Sequence, residues 1–269
     1  MIVNQNNIQH MQKLTRKLIA ALIFLFVSNS INAQSEIKNW NAALLNLSVT
    51  KKFDVRFSHL RSYEINNKYN NNFNQSSVSL NYNITSRISV LAGGMITEFP
   101  SAASQTQRVY VRATYKLPVA KIVNWSNSIQ AEVYSKQEDR YNKRFVYISR
   151  IALQKRISIL NLQPSVTYWL YYNNGGDAVQ YYDADGNKTV KQSADGIHRG
   201  RLYLNLNSKI TKNLSLTVYY MMQREFNFLT DQYHYINIKR PSGRITRPFD
   251  NYNVIGATIS FDFNFFKTK

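Results

Sequence analysis

Ile210-Thr-Lys-Asn-Leu-Ser-Leu216 decides how this chain is read, because its phrasing occurs three more times: Val49-Thr-Lys-Lys-Phe-Asp-Val55, Ile84-Thr-Ser-Arg-Ile-Ser-Val90 and Leu153-Gln-Lys-Arg-Ile-Ser-Ile159. Each copy runs apolar, three polar residues, apolar, small polar or acidic, apolar. That is the end of one alternating strand, a tight turn and the start of the next. A three-residue loop makes the flanking apolar residues cross-strand partners, so both strands present oil on the same face. The first three copies recur at steps of roughly 35 residues once a looser turn at Pro118–Asn124 is counted between the second and third. The last step is longer, and the excess falls in the polar stretch Asn173–His198.

Outward from these turns the chain after Gln34 alternates with period two and shows no useful helical period. Candidate strands fall at 40–50, 53–63, 73–84, 88–97, 106–116, 125–135, 144–154, 157–172, 199–210, 214–223 and 251–266. The cleanest sets Val109, Val111, Ala113 and Tyr115 against Arg108, Tyr110, Arg112, Thr114 and Lys116. The phase shifts near Asn161, which reads as a bulge. Gly93-Gly94 reads as a bulge or a close approach of backbones. Asp185-Gly186-Asn187 reads as a hairpin tip inside the long polar segment.

The in-strand charges choose a side. Asp54, Arg56, Arg108, Arg112, Lys116, Glu132, Arg144, Arg150, Arg201, Lys209 and Asp262 all lie opposite the apolar phase. On the apolar phase only His59, Arg61 and Arg224 intrude, each near a strand end. A cation at the midplane of a lipid-facing strand costs roughly 2–4 kcal/mol, falling towards zero near the interfaces. The pattern is what that cost selects. Strands of about 10 residues suit a tilted crossing, and Trp40, Phe53, Tyr63, Phe73, Trp125, Tyr172 and Phe265 near the strand ends read as an aromatic girdle.

The expectation is an all-β fold: a transmembrane antiparallel up-and-down β-barrel with short periplasmic turns and long extracellular loops. A soluble β-barrel or sandwich alternates too, but with its apolar face inward. The strands found number eleven, with every short turn on one side, so the first strand would begin on the long-loop side. That arrangement is awkward for an exported chain, and the expected count is therefore twelve, with ten as runner-up. The missing strand would lie in Gln34–Asn41 or Tyr233–Lys239.

Export is read from the N-terminus. Lys13, Arg16 and Lys17 precede the apolar run Leu18–Val27, and Ile31-Asn32-Ala33 offers a cleavage site. The run is too short to span a bilayer as a helix, which needs about 20 residues. Residues 1–33 are thus a signal peptide and 34–269 the barrel domain, destined for the cell outer membrane. The formal charge is +19, and removing the three leader cations leaves 31 against 15 anions. Such a balance ordinarily suggests nucleic acid, but an exported chain without a nucleic-acid fold makes that a poor reading. There is no cysteine, hence no disulfide and no thiol chemistry.

Arg199-Gly-Arg-Leu-Tyr-Leu-Asn-Leu, followed by Thr211-Lys-Asn-Leu-Ser-Leu through Tyr220, resembles a domain-of-unknown-function family common in Bacteroidota. So does the opening Trp40-Asn with its Lys-Lys-Phe turn. The resemblance covers about residues 36–266. It implies an outer-membrane β-barrel of a Gram-negative bacterium and carries no catalytic residues to transfer. The last strand resembles the C-terminal signal read by the barrel assembly machinery, although the chain ends Phe266-Lys-Thr-Lys269 rather than on the aromatic.

The inward phase carries more cations than anions, so Arg56, Arg108, Arg112, Lys116, Arg150, Arg201 and Lys209 are the candidate binding residues of a basic, porin-like lumen favouring anionic solutes. The competing reading is a hydrogen-bonded wall in a barrel too narrow to conduct. Loop cations Lys239, Arg240, Arg244 and Arg247, with Lys136, Arg140 and Lys143, suit solvation, or phosphates of outer-membrane lipid including lipopolysaccharide. Catalysis finds little support: His59 and Ser62, three apart on a strand, face opposite ways, and His198 with Ser193 and Asp195, or His234 with Asp231, are loop neighbours without a motif. Asp183, Asp185 and Asn187 resemble part of a calcium loop, but the glycine is misplaced and no glutamate closes it. No cofactor is expected. The role expected is non-enzymatic: passage of small anionic solutes, or loop-mediated binding and envelope structure. The alternatives are an outer-membrane lipid or peptide hydrolase on a barrel scaffold, and a soluble periplasmic barrel binding an apolar ligand.

Overall fold

The computed structural model describes residues 36–65, 69–119, 122–135, 141–228, 238–246 and 251–266. The leader at 1–33, most of Tyr233–Lys239, His234 with Asp231, and the loop cations Lys136, Arg140 and Arg247 lie outside the described residues. The strands in chain order are β1 (Glu36–Ser48), β2 (Phe53–Glu64), β3 (Asn70–Asn83), β4 (Ile88–Phe99), β5 (Ser104–Val119), β6 (Val123–Tyr134), β7 (Lys143–Leu153), β8 (Leu162–Asn174), β9 (Val179–Tyr182), β10 (Lys188–Gln192), β11 (Gly196–Lys209), β12 (Leu214–Phe228), β13 (Ile238–Lys239), β14 (Ile245–Thr246) and β15 (Tyr252–Asn264). Eleven of them close a barrel in the order β1-β15-β12-β11-β8-β7-β6-β5-β4-β3-β2.

The expected count of twelve is corrected to eleven, and the expectation of a wholly antiparallel sheet with it. The described part of Gln34–Asn41, from Glu36, belongs to β1, which runs unbroken to Ser48. Ile238–Lys239 pairs only with Ile245–Thr246, outside the barrel. Antiparallel neighbours alternate direction, so an odd circuit returns to its start pointing the same way. The first and last strands must then pair in parallel, and β1 and β15 do so over Glu36↔Tyr252 through Ser48↔Asn264. The odd start on the long-loop side, which argued for a twelfth strand, is the real arrangement.

Three of the four repeated phrases make one turn. Thr50 Oγ1 accepts the N–H of Lys52 at 3.2 Å and of Phe53 at 3.0 Å. Thr85 does the same for Arg87 and Ile88, and Thr211 for Asn213 and Leu214. The hydroxyl stands in for the backbone acceptor a tight turn leaves out. The flanking apolar residues do pair, Val49 N–H with Phe53 O at 2.9 Å and Ile210 N–H with Leu214 O at 3.0 Å. The third copy has Gln154 in place of threonine, and its turn opens. The bulge expected near Asn161 is a 3-10 turn, Ile159–Asn161, with Leu160 and Asn161 at φ 52° and 51°. Ile157 instead closes a narrow pair with Leu162, and β8 begins there, five residues later than the spacing suggests. Thr211→Val, which keeps the shape and removes the acceptor, is expected to cost about 1 kcal/mol, measured as a lower unfolding midpoint in detergent.

Gly93 is a close approach, since its pairings with β3 and β5 show no register shift. A Cβ there would lie 2.6 Å from Val78 O and 2.8 Å from Tyr110 Cζ. Tyr110 lies over Gly93 on the inner face, and Tyr219 over Gly256 likewise. The true bulges sit between Ser62 and Tyr63 and between Ile197 and Arg199. In the long loops, β9 and β10 flank the expected tip, where Asp183 N–H donates to Asn187 O at 3.0 Å. The N–H of Asn187 also donates to Asp183 Oδ1 at 2.7 Å, and this holds the carboxyl below its usual pKa. Val179 and Tyr181 of β9 pack with Ile238 of β13 in a small core of their own.

Candidate site in the barrel interior

Alternation sends one side chain out and the next in, and the polarity of the two walls is the reverse of a soluble protein's. Val109 is 62% exposed and Ile129 65%, with Val78, Leu80, Val111, Val133, Phe145, Ile151 and Ile255 also open on the outer wall. Glu132 is 3% exposed, and Arg144, Gln130, Ser128, Asn173 and Gln223 are buried on the inner one. Trp40 and Phe73 are corrected from the aromatic girdle to the interior, where Trp40 is buried and edge-on to Phe73 at 5.6 Å. Their phase, opposite Ala43 and Val78, was the signal against a girdle role.

The interior has two tiers. In the half towards the long loops it is packed. Glu132 is the anionic centre: Arg144 Nη2 lies 2.8 Å from its Oε2, Arg108 Nη1 lies 3.6 Å away, and Tyr134 OH donates at 2.7 Å. Gln130 also donates to Glu132, and Arg144 to Tyr134. Arg144 stacks over Tyr134, Tyr141 and Tyr171 with centroids 5.0–5.2 Å away. Arg201 shares Tyr171 from the other side at 5.4 Å, donates to Gln223 Oε1 at 2.7 Å and Tyr252 OH at 3.1 Å, and stacks over Trp40 at 5.4 Å. Trp40 meets Phe73, and Phe73 meets Phe99 at 6.3 Å. This chain of contacts runs round the inner wall from β6 to β4 by way of β7, β8, β11, β1 and β3. Val146, Met221 and Val254, also inward, have no exposure at all. Charge-assisted bonds and cation–π contacts of this kind hold buried guanidinium groups at tolerable cost.

Towards the short turns the interior opens. Arg56, Lys116, Arg150 and Lys209 face inward within three residues of their strand ends and are exposed. Arg56 Nε donates to Asn46 Oδ1 at 2.7 Å, and Arg150 Nη2 to Ser165 Oγ at 3.3 Å. The acids here are engaged by neutral donors: Asp54 by Ser48, Asn81 and Asn83, and Asp262 by Asn46 at 2.6 Å. The mouth therefore carries four cations against two hydrogen-bonded acids. Arg112, between the tiers, donates to Gln130 Oε1 at 2.6 Å and lies 5.5 Å from the Trp169 ring.

The seven residues of the expected basic lumen are thus split. Arg56, Lys116, Arg150 and Lys209 stand round the open mouth on four separate strands, while Arg108, Arg112 and Arg201 are bound into the packed tier or at its edge. The tyrosines holding that tier, Tyr134, Tyr171 and Tyr252 with Tyr141 of the loop, are not among the candidate residues of the sequence, although the first three sit on the inward phase. His59 is exposed on the outer wall and Ser62 fully buried, on opposite faces. His198 is buried with Nε2 at 3.0 Å from Ala194 O, and Asp195 receives the N–H of Gly175 at 2.8 Å. Asp183 spends both carboxylate oxygens on Asn187.

An apolar outer wall around a polar, ion-paired interior defines a class: a closed β-barrel of inverted polarity. The chain belongs to DUF2490, a family of proteins of unknown function, which matches residues 37–234. No curated protein matches the chain.

Proposed function

We propose that this is a non-enzymatic, integral outer-membrane barrel of a Gram-negative bacterium, of the kind found in Bacteroidota. The reading has residues 1–33 direct its export, the short turns face the periplasm and the long loops face outward. Its partners are outer-membrane lipid, including lipopolysaccharide, and the assembly machinery during biogenesis.

One observation carries the membrane reading: the large aliphatic and aromatic side chains are exposed around the barrel, while the strand charges face in or sit near strand ends. Such an apolar band in water would aggregate, and in lipid it costs nothing. Closure suits that setting as well, because no backbone group is left unpaired at a sheet edge. The same polarity counts against the soluble barrel with an apolar ligand inside, whose interior would have to be greasy.

Within the membrane reading, the packed tier favours binding over passage. That tier engages Arg108, Arg112 and Arg201, so the cations left open to anionic solutes are those of the mouth, Arg56, Lys116, Arg150 and Lys209. The purified protein in planar bilayers is expected to give no steady channel conductance, while retaining small polyanions in a salt-sensitive manner. Sustained anion-selective conductance of the native protein would replace binding by passage. Recovery of the mature protein in the aqueous fraction after cell breakage would end the membrane reading itself.

A further inference from the structure

The outer wall carries a feature that barrel packing does not require. Gly93 and Gly94 are neighbours, yet only Gly93 needs to be glycine. Over Gly94, on the outer face, an added Cβ would meet nothing closer than Arg108 O at 4.0 Å. The outward residues beside it in register are Val78, Val109 and, one strand further, Val133. Each has a side chain and Gly94 has none, so a furrow opens between them. It forms a groove of about 620 Å³. One step further towards the short turns on β4, the next outward residue, Ala92, is also small.

The end of the groove nearest the long loops is polar, through Ser76, Gln107 and Ser135. Beside it are the two basic groups that break the apolar phase on β2. His59 Nδ1 is 2.9 Å from Ser76 Oγ, and Arg61 Nε donates to His59 Nε2 at 3.3 Å. His59 therefore carries its proton on Nδ1, and Ser76 and His59 together hold Arg61 at the groove's end. In the same cross-strand row, Arg61 pairs with Asn74 and Asn74 with Glu98. The backbones of Arg61 and Glu98 thus stand two strands, about 10 Å, apart. Both are exposed, and neither is in an ion pair among the described residues.

We propose that this groove binds a zwitterionic phospholipid of the phosphatidylethanolamine type. One acyl chain lies along Gly94, the phosphate faces Arg61 and the ammonium faces Glu98, so that in the orientation proposed above the lipid sits in the outer leaflet beside lipopolysaccharide. An anionic headgroup would leave Glu98 opposed to it, and an uncharged one would leave both ions unanswered. The proposal rests on the membrane reading above and adds a specific lipid site to it.

The test is native mass spectrometry of the full chain, delipidated in detergent and titrated with phosphatidylethanolamine or phosphatidylglycerol of matched acyl chains. Expected is a first adduct with phosphatidylethanolamine at least tenfold tighter than with phosphatidylglycerol. Gly94→Leu, which fills the furrow into open space and should fold normally, is expected to abolish that adduct. Glu98→Gln is expected to remove the preference between the lipids while keeping the adduct. Equal binding of both lipids by the native chain, or an adduct indifferent to Gly94→Leu, overturns the site and leaves the membrane reading standing. A chain that fails to enter lipid nanodiscs overturns both.

Discussion

Glu132→Gln is expected to cost about 3–5 kcal/mol, because it leaves buried guanidinium groups without their counter-charge. Arg144 and Arg108 both lean on this carboxylate, at 2.8 and 3.6 Å, and Glu132 is the acid they share. The order of effects is diagnostic. Arg108→Gln leaves the closer Glu132–Arg144 pair whole and should be clearly milder. A heat-modifiability or urea midpoint in detergent reads both. If Glu132→Gln and Arg108→Gln were equally mild, the cluster would be solvated, and the packed tier with it. Opening of that tier should also appear in bilayers, as conductance in the variant where the native protein has none.

The second large effect concerns a glycine. Gly256→Val should prevent closure or lower the unfolding free energy by several kcal/mol, since overpacking alone typically costs about 1–3 kcal/mol and here the ring of Tyr219 occupies the space. The pairing Tyr219↔Gly256 ties β12 to β15, the strand that also forms the parallel seam with β1. The double variant Gly256→Val with Tyr219→Ala should recover part of the loss. Gly94→Leu, on the outer wall where an added Cβ meets nothing closer than 4.0 Å, serves as the contrast and should fold as the native chain does. Equal damage at Gly94 and Gly256 would contradict the account of both walls.

The barrel was legible because two simple periodicities agree. Alternation named the outward face strand by strand, and the in-strand charges named the inward one. For that reason the seven candidate arginines and lysines all share the phase opposite the apolar side chains. The strand count went astray through an argument about where an exported chain should begin, although eleven strands had been found. Parallel closure leaves no mark in the sequence of β1 or β15 alone. The third turn was misplaced because its polar pattern matches the other three, while the one hydroxyl that shapes them, Thr50, Thr85 or Thr211, is Gln154 there. Which lumen cations are sealed and which are open depends on Tyr134 of β6, Tyr141 of the loop before β7, Tyr171 of β8 and Tyr252 of β15 closing on the arginines. Trp40 shows the same limit: an aromatic near a strand end suggests an interface, and only its phase says that it points in.

The central claim is that the greasy wall meets lipid and the basic wall does not. The natural chain has no cysteine, so single cysteines at Val109, Ile129 and Lys116 can be labelled in open membrane fragments with a membrane-impermeant maleimide. The account predicts that Lys116→Cys reacts through the open mouth, while Val109→Cys and Ile129→Cys stay silent until the membrane is dissolved and the protein unfolded. Rapid labelling of Val109→Cys and Ile129→Cys in intact fragments, at the rate of a loop position such as Lys188→Cys, would contradict it.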